Sequence, residues 1–151
     1  MFHKATKLEL KDGTLLELTF QTGEVKAYDM STLFTKYPQL ASLQDRELFL
    51  QGKLMGAYGI IWNDELDIEA ETIYEEGITV RIEPIPVELK VANAVVNARA
   101  KAGLSQSELA SITGIDQSDI SKIERGVANP SINTLNRLAK ALGMELQIAI
   151  A

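Results

Sequence analysis

The stretch LSQSELASITGIDQSDISKIERG, residues 104–126, sets two short helices end to end around one glycine, each with its own start signal. Ser105 with Glu108 three residues on is a capping box, in which each side chain accepts from the other residue's backbone N–H. Asp116 with Asp119 predicts the same logic at the next helix, with carboxylates in its positive first turn. Gly114 and Gly126 supply the backbone freedom for the turns that follow each helix.

The flanks are helical as well. Leu89, Ala92, Val96 and Arg99 are spaced for one face of a preceding helix. Ser131 caps a following helix with the expected core stripe Ile132, Leu135, Leu138, Ala139 and Leu142, and Gly143 closes it. Met144–Ile150 then alternates strictly, with Met144, Leu146, Ile148 and Ile150 on one face, which predicts a strand. Leu104, Leu109, Ala110, Ile112, Ile115, Ile120, Ile123 and Leu135 are the expected core. Two helices joined as in 104–126 form a helix-turn-helix, which can set its second helix in the DNA major groove.

Before this, the chain has a different period. Thr6–Leu10, Leu15–Phe20 and Glu24–Tyr28 read as three antiparallel strands turned by Asp12-Gly13 and Thr22-Gly23. Ser31–Tyr37 and Asp45–Leu50 read as short helical pieces, the first ended by Pro38. Ile60-Ile61-Trp62 and Ile78–Ile82 read as strands, and Asp67–Glu76 as one or two helical turns. The seam is Ile82-Glu83-Pro84-Ile85-Pro86, whose prolines favour an extended, semi-rigid link. The expected organisation is therefore an acidic α+β domain, 1–82, of antiparallel strands with short helices. An all-α helix-turn-helix domain follows at 83–151, ending in a short strand.

Length and charge narrow the function. At 151 residues and 46% apolar, the chain can bury one ordinary core or two small ones. It has no cysteine, which excludes disulfides and thiolate chemistry and fits a cytoplasmic protein. Neither a signal peptide nor a run long enough to span a bilayer is legible, so no membrane is expected. Residues 1–86 carry fifteen acidic against eight basic side chains, a net of −7, whereas 87–151 are near neutral at +1. Any phosphate contact must come from a local basic face.

Residues 99–142 resemble the Cro/repressor-type (Xre) helix-turn-helix family. The carrying residues are Arg99, Gly103–Ala110, Gly114-Ile115, Gln117-Ser118, Ile120–Gly126, Asn129-Pro130-Ser131 and Thr134–Gly143. The resemblance implies an ion pair between Arg99 and Glu124, structural in role. It places Gln117, Ser118, Ser121 and Lys122 against base edges and nearby phosphates. Gln106 would touch the DNA backbone and brace the reading helix, and Arg125 and Asn129 would contact phosphate. Gln pairs with adenine and Ser serves several bases. Asp119 stands where the family more often has a hydroxyl, and a carboxylate there caps the helix or accepts from cytosine N4 but repels phosphate.

Residues 6–77 resemble a domain of unknown function, family 2442, through Gly23-Glu24, Tyr28-Asp29, Leu48-Phe49, Gly59–Trp62, Leu66-Asp67-Ile68 and Ile73–Gly77. That resemblance implies an interaction or ligand-sensing module, several family members being suspected antitoxin-like partners. Asp64, Glu65, Asp67, Glu69 and Glu71 lack calcium-loop spacing and read as a solvated acidic surface. His3, the single histidine, is expected at a mobile terminus, and Trp62 and Tyr58 in core or interface. No catalytic constellation and no cofactor motif is legible. The expectation is a DNA-binding transcriptional regulator, a repressor acting as a homodimer on double-stranded DNA. The alternative is an antitoxin whose first domain binds a toxin or a small effector while the helix-turn-helix autoregulates.

Overall fold

The computed structural model describes residues 2–151, which form two compact units, one ending at Pro84 and the other spanning Ile85–Ala151.

In the first unit, β1 (Ala5–Leu10), β2 (Leu15–Phe20) and β3 (Glu24–Asp29) form an antiparallel meander. The late strand β7 (Ile78–Ile82) adds beside β3, giving the order β1-β2-β3-β7. A second antiparallel sheet joins β4 (Lys53–Met55), β5 (Gly59–Asn63) and β6 (Leu66–Glu69) in chain order. Alternation explains the faces: Leu16, Leu18 and Phe20 of β2 are buried with Met30, Leu43, Phe49, Ile60, Trp62 and Ile73. Trp62 is core, its Nε1 donating to the Phe49 carbonyl at 2.9 Å, whereas Tyr58 is half exposed.

Several local expectations are corrected. Pro38 does not merely end a helix. A 3-10 turn spans Met30–Leu33, and Pro38 opens a further 3-10 run to Gln44, because its missing N–H costs nothing at a first position. Asp45 caps α1 (Arg46–Phe49) by accepting from the Glu47 N–H. The helical reading of Asp67–Glu69 gives way to β6, where Leu66 and Ile68 are buried and Asp67 and Glu69 face solvent; α2 is only Ala70–Glu76. His3 is anchored, not loose: its ring stacks on Tyr74 at 3.5 Å, and Nδ1 lies 2.9 Å from Glu71 Oε1.

The second unit is four helices: α3 (Val87–Ala102), α4 (Gln106–Thr113), α5 (Gln117–Glu124) and α6 (Ile132–Ala141). Val95, Leu109, Ile115, Ile120, Ile123, Leu138 and Leu142 form the core, with Leu104, Ala110 and Leu135 packed against it. Two expected core residues face out: Ile112 is 58% exposed late in α4, and Ile132 is 65% exposed at the first position of α6. The Ser105/Glu108 capping box forms in full, but Asp116 makes no capping hydrogen bond to α5. Met144–Ile150 is no strand in the single chain. Its Met144 N–H closes on the Ala139 carbonyl behind Gly143, and no strand of this unit lies beside the rest to fill its backbone bonds.

Candidate DNA interface

Local chemistry fixes the turn between α4 and α5. Thr113 Oγ1 donates to the Leu109 carbonyl at 2.8 Å and accepts from the Ile115 N–H at 3.2 Å. Arg137 of α6 donates to the Thr113 carbonyl, so the turn is tied from a third helix. Gly114 makes the bend at φ +73°. No local pattern announces Arg137, since its partner lies on another helix.

The orientation of α5 is set from its inner side. Ile120 and Ile123 enter the core, and Glu124, 5% exposed, accepts from three donors. Arg99 Nε and Nη2 each reach it at 2.8 Å, and Gln106 Nε2 at 3.2 Å. Arg99 also donates to the Leu104 carbonyl at 2.9 Å. One carboxylate thus links α3, α4 and α5. Its hydrogen bonds to Arg99 hold that guanidinium's pKa above its usual range. Gln106 is half-buried with its amide turned to this carboxylate.

At about 100° per residue, the side of α5 opposite Ile120, Ile123 and Glu124 carries Ser118, Lys122 and Arg125. Gln117 lies on one flank beside Ser121, and Asp119 on the other. Gln117, Ser118, Asp119, Lys122 and Arg125 are exposed and Ser121 is half-buried. Arg125 Nε bends back to the Ser121 carbonyl at 3.4 Å. Asn129 is exposed in the loop before Ser131, which caps α6 by accepting from the Thr134 N–H. The face is mixed in charge, with Lys122 and Arg125 set against Asp119, so its cations are local ones.

Comparison with known proteins agrees with this geometry. The family model "Helix-turn-helix" (HTH_3) matches residues 96–148, and "Protein of unknown function (DUF2442)" matches 5–79. An uncharacterized HTH-type transcriptional regulator of Haemophilus influenzae is 30% identical over 90 residues, 60% of this chain and 85% of that protein. The chain belongs to the HTH_3 family of helix-turn-helix transcriptional regulators. A second such regulator, y4dJ of Sinorhizobium fredii, is 39% identical over 54 residues, 36% of this chain and 70% of that one. A crystal structure of an HTH_3 family transcriptional regulator from Vibrio cholerae is 34% identical, with a TM-score of 0.37 over 38% of this chain and 33% of that one.

This HTH_3 regulator is therefore a DNA-binding protein whose helix-turn-helix pair is α4 and α5. Among the described residues, no group of three His, Asp or Glu side chains is placed to hold a metal ion. Among the same residues, no helix is long and apolar enough to cross a membrane.

Proposed function

We propose that this HTH_3 regulator is a cytoplasmic, sequence-specific repressor that binds double-stranded DNA as a homodimer. The observation that carries it is the pinning of α5 by Glu124, which leaves Ser118 and Lys122 on the free side with Gln117 and Ser121 on its flank. Gln117 reads adenine through its amide, Ser118 and Ser121 contact base edges, and Lys122 takes guanine or a phosphate. Arg125, Asn129 and Gln106 contact the backbone and set the register. Occupancy of the groove is enough to repress, so no catalysis and no cofactor is required.

One such helix reads half a site, so two subunits about 34–36 Å apart along the duplex complete the operator. Met144–Ile150 supplies the dimer contact: Met144, Ile148 and Ile150 of its alternating face are exposed, and pairing with the same segment of a second copy would fill its backbone bonds. Gel shifts on DNA selected from a random pool test the reader. Gln117→Ala with Lys122→Ala abolishes specific binding, and undiminished binding refutes α5. Light scattering after deletion of residues 144–151 tests the dimer, which should fall to monomer.

A second reading is favoured by the charge of the first unit. With a net of −7 over residues 1–86, it suits a basic protein partner. In that reading the protein is an antitoxin, neutralising a toxin through residues 1–84 and regulating its own operon through α5.

A further inference from the structure

The first unit has a cleft of about 130 Å³ lined by Phe2, Tyr58, Glu69 and Glu71. Both rings are open to solvent, Phe2 at 65% exposed and Tyr58 at 51%. The two carboxylates differ. Glu71 is held in place, accepting from the His3 N–H at 2.8 Å and facing His3 Nδ1 at 2.9 Å. Glu69 is exposed on β6, in register with Gly59, which follows Tyr58 in the chain. Asp67 shares the outward face of β6 with Glu69, and Met55, 46% exposed, pairs with Gly59 from the other side.

Aromatic faces beside a free carboxylate suit a cation, and a planar one best. A guanidinium stacks on rings and pairs with a carboxylate in the same pose. A neutral apolar side chain would bury Glu69 without a partner, which is costly. Nucleic acid is repelled by a unit of net charge −7. We propose that this cleft seats an arginine from a basic segment of a protein partner, its guanidinium against the Phe2 and Tyr58 rings and its charge on Glu69. The proposal rests on the reading of the first unit as a partner-binding module and names the chemistry which that module selects.

The test is fluorescence anisotropy of the full chain with a labelled peptide of alternating arginine and glycine, beside a twin carrying citrulline, the neutral isostere. The arginine peptide binds and the citrulline twin does not. Tyr58→Ala and Glu69→Gln each weaken binding about fivefold or more, while Glu47→Gln, an exposed carboxylate on α1, leaves it within about twofold. Circular dichroism confirms that each variant is folded. Equal weakening by Glu69→Gln and Glu47→Gln overturns the cleft and leaves a partner-binding unit that acts by bulk charge. Absence of binding by the arginine peptide, or equal binding of the twin, overturns both the cleft and the basic-partner reading on which it rests.

Discussion

The Arg99 guanidinium lies bidentate on the Glu124 carboxylate, Nε to Oε2 and Nη2 to Oε1, both at 2.8 Å. Glu124 is the buried member, at 5% side-chain exposure against 21% for Arg99. Removing Arg99 therefore strands a desolvated carboxylate with Gln106 alone. Arg99→Ala should cost about 3 kcal/mol, and Arg99→Lys somewhat less, because an ammonium cannot form the fork. Arg99→Leu with Glu124→Leu should cost less than Arg99→Ala by itself, since no charge is left buried. Urea titration followed by helical circular dichroism measures this. The one tryptophan, Trp62, is buried in the first unit, so its fluorescence follows the unfolding of that unit.

Gly126 and Gly143 share a left-handed backbone, at φ +73° and +70°, but not their surroundings. A Cβ on Gly126 would sit 2.5 Å from Leu89 Cδ2, whereas one on Gly143 meets nothing within 4 Å. Gly143→Ala should carry the strain of the left-handed conformation alone, about 1–2 kcal/mol. Gly126→Ala should cost clearly more, because Leu89 must also move. Equal denaturation midpoints for the two variants would contradict this assignment.

Acid should loosen the outer face of the first sheet. Glu9 accepts from Lys11 and Lys7, and these hydrogen bonds lower its pKa from 4.5 to about 2. A lowered carboxylate pKa stabilises the fold above the unfolded value and stops doing so as pH falls through the folded one. The contribution is complete above about pH 4.5 and lost on the way down through about 2. Glu9→Gln should flatten the stability curve across that window, and salt should shrink the difference because the charges are exposed.

The opposite limit belongs to Tyr74. Burial, and then donation of its hydroxyl to Glu24 at 2.7 Å, raise its pKa from 10.0 to about 12. A raised pKa stabilises the fold below the unfolded value and stops doing so as pH rises through the folded one. Stability should thus decline as pH climbs from 10.0 toward about 12. In a tyrosinate absorbance titration, Tyr74→Phe should remove a step near pH 12 from the wild-type curve.

The second unit was legible because its signals are local. The Ser105/Glu108 box, Gly114 and Gly143 mark helix ends within a few residues, and each does so in the structure. Arg99 and Glu124 were readable only through the family resemblance, since their contact spans 25 residues. What failed depended on neighbours. Ile112 and Ile132 fit an apolar stripe yet face outward, and periodicity cannot say where a small bundle stops covering its helices. Asp67–Glu69 reads as part of the helical turns of 67–76, whereas burial of Leu66 and Ile68 makes it a strand. His3 was misjudged because Tyr74 and Glu71, which hold it, lie about seventy residues away. Met144–Ile150 alternates as a strand should, but a strand needs a partner and this unit offers none.

Salt dependence should separate the side chains of α5 by role. Each phosphate neutralised releases condensed counterions, so losing one such contact lowers the slope of log K against log salt by about 0.9. Arg125→Ala should lower the slope by that amount and weaken all DNA sequences alike. Gln117→Ala should leave the slope unchanged while costing about 1–3 kcal/mol of preference at one base pair. Lys122→Ala decides its own assignment: a fallen slope means phosphate, and a lost base preference means guanine. Asp119, exposed beside these cations, opposes non-specific attraction, so Asp119→Asn should tighten binding to random DNA. A unit with a net charge of only +1 over residues 87–151 has little bulk attraction to add. Its total slope should therefore be shallow, and its discrimination should rest on base contacts and on the second subunit. A steep slope with no loss of preference in Gln117→Ala would mean that α5 holds DNA without reading it.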